Sequence, residues 1–278
     1  MTTQSHPLLD ACRPVCDNAA YVRHDSALRR LEGQQYVVKP LRRASLGLLT
    51  LLVCLLLVLP ACSGAGSGGA VGTIAPGFPA TAAHPQPQDA DFNGCPPQGD
   101  GGDSQLNVRK NRIDNGENGA FHDVDLGTLL ALQWPQTVER QSRDNWSSDD
   151  ATAIAQYEGV AVRTTGYVLG VRHEGTESPN CHDVSNTDFH VWLAVNASDG
   201  KDKSMVVEVT PRVRAMRSGW DDATLSGLTG QHVRISGWLM FDQEHPEQLG
   251  KTRMTLFEIH PILHIEVDNN GTWQSIDG

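Results

Sequence analysis

Positive charge is short in this sequence. Its 278 residues hold 22 Lys+Arg against 33 Asp+Glu, a formal net charge of −11. Phosphate backbones are bound through Lys and Arg in excess, so the balance excludes a general nucleic-acid binder. A membrane-spanning run is also missing. Residues 46–61 are the clearest apolar stretch, and sixteen residues fall short of the roughly 20 a helix needs to cross the hydrocarbon core. There is no Walker loop, no dinucleotide-binding glycine fingerprint, no His-Glu-x-x-His and no Gly-x-Ser-x-Gly. Nucleotide-dependent, zincin and nucleophile-elbow chemistries therefore lose their usual sequence grounds. No residue earns a catalytic assignment from a motif.

What is present begins with an export signal. Lys39, Arg42 and Arg43 precede the apolar run, giving a basic n-region and an apolar h-region. Leu59-Pro60-Ala61-Cys62 then resembles a bacterial lipobox, although proline is a less usual occupant of the second position. The resemblance implies cleavage before Cys62, palmitate-type lipidation of its thiol and a lipid anchor in a membrane on the extracytoplasmic side of the cell envelope. Acyl chains at about 0.8 kcal/mol per buried methylene make two or three of them a stable anchor. The alternative is an uncleaved signal-anchor helix with residues 1–45 inside. Residues 1–36 are longer than a signal peptide's usual start. They are expected to be a misassigned start, with translation beginning at Val37 or Val38, or else a cytosolic extension. Cleavage removes seven Lys+Arg and four Asp+Glu and leaves 217 residues at a net charge of −14, so the acidity belongs to the exported part.

Composition and period divide the remainder. Residues 37–61 form the signal peptide, and residues 62–104 a Gly-, Ser-, Pro- and Gln-rich tether without apolar period. Residues 105–158 read as an accessory helical segment. In it, Leu126, Leu129 and Leu130 recur at helical spacing, and Ser147 stands as N-cap ahead of Asp149 and Asp150. From residue 159 to 278 the period becomes two. Strands are predicted over 160–171, 188–195, 204–210, 232–241 and 254–267, with a helix over 211–228, and Asn270-Gly271 predicts a type I′ hairpin turn. Gly166 and Gly170 suit a bulge or sharp coil in the first strand. Three strands, a helix and two strands is the order of a mainly β, five-stranded OB-like Greek-key barrel.

The segments Glu177-Ser-Pro-Asn-Cys-His182, Asp188-Phe-His190, Glu208-Val-Thr-Pro-Arg212, Arg234-Ile-Ser-Gly-Trp-Leu-Met-Phe-Asp242 and Thr255-Leu-Phe-Glu-Ile-His-Pro-Ile262 together resemble an uncharacterised family of secreted bacterial proteins. The likeness runs over about residues 93–275 and includes Lys110-Asn-Arg112 and Tyr157-Glu-Gly159. It implies an OB-like domain and an exported location, and it implies no activity.

Three cysteines survive cleavage: Cys62, Cys95 and Cys181. Outside the cytoplasm the last two are expected to form a disulfide. The alternative is Cys181-His182 as a nucleophile or metal ligand. Strand parity then sorts the side chains. Phe189, Val191, Leu193, Val207, Val209, Val233, Ile235, Leu239, Phe241, Phe257, Ile259 and Leu263 share the apolar parity and are the expected core. The opposite parity carries Asp188, His190, Glu208, Glu258, His260 and His264 on predicted strands two, three and five, which are neighbours in an OB barrel. Asp188, His190, Glu208, Glu258 and His260 are the candidate ligands for a divalent metal such as zinc or manganese, or an acid–base set. The plainer reading is that an outer strand face is polar because it meets water. Trp192 and Trp238 share that parity and are expected to pack under Leu126, Leu129, Leu130, Trp134 and Tyr157. Arg212, Arg214, Arg217 and Arg234 read as a solvated basic face or local anion site.

These observations point first to a lipid-anchored extracytoplasmic binding module for a small-molecule or protein ligand. Its rival is a metal-dependent hydrolytic enzyme built on the five ligand candidates. A passive structural lipoprotein is the third reading.

Overall fold

The computed structural model describes residues 91–114 and 120–278. The signal peptide, Cys62 and all of the tether before residue 91 lie outside the described residues. Seven strands form one sheet: β1 (His122–Asp123), β2 (Ala161–His173), β3 (Phe189–Ala194), β4 (Met205–Val209), β5 (His232–Phe241), β6 (Phe257–Asn269) and β7 (Thr272–Ser275). Five of them close on themselves in the order β2-β3-β4-β6-β5 and back to β2. The β4–β6 pairing is parallel and the other four contacts of the ring are antiparallel. This is the OB-like Greek-key barrel expected from the strand order. β1 adds to β2, and β7 folds back on β6 through Asn270 and Gly271, both at positive φ as a type I′ turn requires.

Closure depends on β2 serving two partners. Its first half pairs with β5 and its second half with β3. The changeover falls at Tyr167, which pairs with both, and at the preceding Gly166 a Cβ would sit 2.8 Å from the Ala194 carbonyl oxygen and 2.8 Å from Leu126 Cδ2. The bulge comes between Val168 and Gly170, so both glycines mark the coil that bends the strand round the barrel. All twelve side chains of the expected apolar parity are buried.

Five short helices complete the described residues: α1 (Ser104–Lys110), α2 (Leu126–Leu130), α3 (Ser148–Ala155), α4 (Pro211–Arg214) and α5 (Asp222–Ser226). The single helix expected between the third and fourth barrel strands is two, α4 and α5. Thr210 caps the first, and Asp221, accepting from Thr224 N at 2.7 Å, caps the second. Ser147 caps α3 as its sequence position predicts. Leu126, Leu129 and Leu130 of α2 join the barrel core. Trp134, Trp146 and Tyr157 stand edge-on or tilted against Phe241 and Phe257, with ring centroids 5.9–6.4 Å apart. The helical segment thus plugs one end of the barrel. Among the described residues no helix is long and apolar enough to cross a membrane.

The ordered part begins earlier than composition suggests. Residues 91–103, assigned to the tether, lie against the barrel, with Cys95 and Pro97 buried. The cause is the expected disulfide, Cys95–Cys181, with an S–S distance of 2.06 Å.

Candidate functional site: a buried acid–histidine cluster

Register brings the five ligand candidates together. His190 on β3 lies opposite Glu208 on β4, Val207 of β4 lies opposite Ile259 of β6, and Glu258 and His260 flank Ile259. Asp188 immediately precedes β3. One carboxylate oxygen each of Asp188 and Glu208 and one ring nitrogen of His260 all fall within 4.8 Å of one another.

The cluster is not the wet outer patch that parity suggests. Asp188, His190, Glu208, Glu258 and His260 are 0%, 6%, 2%, 1% and 0% exposed. Parity reports which way a side chain points and says nothing of what covers it. The cover here is a lid of α1 and the turn Ser178–Asn180. Asp103 starts α1 by accepting from Gln105 N and Leu106 N. Asn107 donates to the Gln98 and Gly101 carbonyls and accepts from Ser178 Oγ. Asn111 donates to the Pro97 and Pro179 carbonyls at 2.9 and 2.8 Å. The disulfide staples this weave, and Arg212 Nη2 ties it to α4 through the Cys95 and Pro96 carbonyls.

Under the lid, charge is dense. His190 is engaged on both sides, with Glu174 Oε1 at 3.0 Å from Nδ1 and Glu208 Oε1 at 2.5 Å from Nε2. Arg253 Nη1 lies 2.9 Å from Asp242 Oδ2 and 2.5 Å from Glu258 Oε1, and His245 Nδ1 lies 2.7 Å from the same Asp242 oxygen. His260 approaches Asp188 Oδ2 at 3.6 Å through Nε2, and Glu208 Oε2 at 3.3 Å and Glu258 Oε2 at 3.6 Å through Nδ1. None of these three approaches makes a hydrogen bond.

Burial sets most of the protonation. It pushes the carboxyls of Asp188 and Glu208 well above the usual range, reinforced by the neighbouring charges of Glu208 on the first and Glu258 on the second. It pushes His260 well below and His190 below the ordinary imidazole value. Glu258 is raised by burial against the opposing charge of Arg253. Burial acts on Asp242 too, but the His245 hydrogen bond and the Arg253 charge overcome it and hold that carboxyl well below its ordinary value. The same bond lifts His245 to about 9. Lys110, sealed in from α1, keeps its charge against burial because Glu177, Glu208, Asp242 and Glu258 face it.

The other sequence candidates disperse. His264 bonds Asp277 Oδ2 at 2.6 Å, away from the cluster. Trp192 and Trp238 are buried; Trp238 belongs to the hydrophobic cluster that holds Leu126, Leu129 and Leu130, and each ring is also faced by a cation. Lys201 Nζ lies 3.2 Å from the Trp192 ring centroid and the Arg112 guanidinium 3.0 Å from that of Trp238. The arginines form no solvated face. Arg212 binds the lid, Arg214 the Thr187 carbonyl and Asp222, Arg217 the Leu263 carbonyl, and Arg234 pairs with Glu266. Cys181 is spent in the disulfide, which ends its reading as a nucleophile or metal ligand.

Sequence reasoning passed over Lys110, Glu177, Asn180, Asp242, His245 and Arg253 as members of the cluster. Four of them sit inside the quoted segments: Lys110, Glu177, Asn180 and Asp242. His245 and Arg253 lie in a loop without period and offered no signal. No protein-family model matches the chain, and no curated protein gives a significant match to it.

Proposed function

We propose that the chain is a lipid-anchored, extracytoplasmic binding module of the bacterial envelope. The observation that carries this reading is the Cys95–Cys181 disulfide. Such a bond persists in an oxidising compartment and is rare in a reducing one, which agrees with the export signal and the lipobox-like Cys62. The binding role rests on where the chemistry sits. A hydrolytic centre needs groups that touch substrate and, if metal-dependent, an open coordination position. The five acid and histidine candidates have neither, because the lid buries them. Open surface is found elsewhere. A cleft of about 330 Å³ is lined by Asp103, Arg140, Gln141, Ser142, Gln243 and Glu244, and one of about 200 Å³ lies beside the disulfide between Phe92 and Arg212. The first is within the size range of small-ligand sites and carries both charge signs.

Fractionation of cells expressing the wild-type chain and Cys62→Ser tests the reading. The wild type is expected in the membrane fraction, and the variant in the soluble extracytoplasmic fraction with Cys95 and Cys181 protected from thiol labelling. A variant that stays with membranes overturns the lipid anchor. Free thiols in a cytoplasmic chain overturn the export. Turnover of ester, phosphoester or peptide substrates by the purified chain overturns the binding role.

A further inference from the structure

Three buried carboxylates around His260 share one arrangement: each has one oxygen held and one left over. Asp188 Oδ1 accepts from Asn180 Nδ2 at 2.8 Å, Glu208 Oε1 meets His190 Nε2 at 2.5 Å, and Glu258 Oε1 accepts from Arg253 Nη1 at 2.5 Å. The second oxygens, Asp188 Oδ2, Glu208 Oε2 and Glu258 Oε2, make no hydrogen bond. Neither do Nδ1 and Nε2 of His260, the ring they surround. Buried polar atoms are nearly always paired, and five orphans in one place demand an explanation.

We propose that His260, Asp188 and Glu208 ligate one divalent transition-metal ion, sealed beneath α1 and the disulfide-stapled turn. Ligand atoms on a tetrahedral ion with bonds of about 2.0–2.2 Å stand roughly 3.3–3.6 Å apart. The free Glu208 Oε2 lies 3.3 Å from His260 Nδ1, a separation that two ligands of a shared ion keep. Asp188 Oδ2 lies 3.6 Å from the other ring nitrogen, Nε2, and joins the same ion through the grouping of one carboxylate oxygen each from Asp188 and Glu208 with one His260 ring nitrogen, all within 4.8 Å of one another. One imidazole with carboxylates suits zinc or manganese, whereas calcium and magnesium take oxygen alone. The ligand carboxylates are already oriented, since Asn180 and His190 hold their other oxygens as outer contacts do in metal sites. Glu258 Oε2, at 3.6 Å from Nδ1, is the nearest further oxygen.

His190 is set apart from the ligand trio because both of its ring nitrogens are engaged, by Glu174 and by Glu208. The ion would cross-link β6 to β4 and to the start of β3, so its role is to hold the barrel face under the lid. This is independent of the binding reading and of the lipid anchor.

The test uses the mature chain purified without added ions, then stripped with chelator and titrated with ZnCl2, MnCl2 or MgCl2. One zinc or manganese per chain is expected by elemental analysis. The thermal midpoint should rise by roughly 5–10 °C at metal 100-fold above Kd, with no rise for magnesium. His260→Gln should lose stoichiometric metal. Because a buried substitution can prevent folding, the wild-type chain loaded with Mn2+ or Cu2+ provides a second measurement, in which spin-echo spectroscopy should detect one coordinated imidazole nitrogen. The proposal is overturned by an absence of bound metal together with an unchanged midpoint. It is equally overturned by a rise of the same size with MgCl2, by metal retained in folded His260→Gln, or by an echo without nitrogen.

Discussion

Glu158 shows how much a single side chain carries here. Its carboxylate accepts from both terminal nitrogens of Arg143 at 2.6 and 2.7 Å, from Arg109 Nε at 2.9 Å and from the Phe241 backbone N–H at 2.9 Å. Arg143 in turn donates to the Phe241 carbonyl at 2.6 Å. The pair therefore satisfies the last residue of β5 and joins it to the helical segment. Removing the acid would leave the Arg143 guanidinium buried without its counter-ion, and broken buried pairs cost about 3–5 kcal/mol. Glu158→Ala should lose that much by urea unfolding at neutral pH, and a loss under about 1 kcal/mol would mean the pair is replaced by water. The Tyr157-Glu-Gly159 segment drew notice in the sequence, but its partner Arg143 sits in a short 3-10 turn 15 residues earlier with no periodic signal.

At the scale of elements, the disulfide and the lid stand or fall together. The bond closes a loop spanning 86 positions, for which the chain-entropy model gives about 4.5 kcal/mol. Reduction also frees the turn Ser178–Asn180, whose last residue holds Asp188. Cys95→Ser/Cys181→Ser should therefore lower the thermal midpoint by roughly 10 °C or more and raise amide exchange in α1 and in residues 177–182 ahead of the barrel strands. Equal exchange in the lid with and without the bond would show that the hydrogen-bond weave suffices alone. The five barrel strands were legible because alternation is a local property. Strand β5 matches its predicted bounds residue for residue, and β3 and β4 match to within a residue at each end. The lid was not legible, because α1 has only seven residues and is defined by bonds to segments up to 71 positions away. The convergence of Asp188, Glu208 and His260 followed from parity plus barrel neighbour order. Their burial did not, since it depends on that distant lid.

For the whole molecule, excess acidity and a buried charge network make stability depend on pH, and His245 sets one arm of that dependence. Its imidazole is lifted from 6.5 to about 9, first by its hydrogen bond to Asp242 and then by the charges of Asp242 and Glu258, with burial and Lys110 opposing. A cation whose folded pKa lies above its unfolded value binds its proton more tightly when folded. Its stabilisation is complete below pH 6.5, falls between 6.5 and about 9, and is gone above that. Because the ring is about one-third exposed, water screens part of the interaction and the slope should be modest. Thermal midpoints taken in chelator, to hold the metal state fixed, should decline from pH 6.5 to 9 in the wild-type chain, and His245→Gln should flatten that decline. The acid limb has the opposite sign. Asp242 is held well below its ordinary value, so its contribution is present above that value and is lost as pH falls through the folded pKa. An unchanged alkaline slope in His245→Gln would move the responsible group elsewhere and detach His245 from the network that Arg253 and Asp242 anchor.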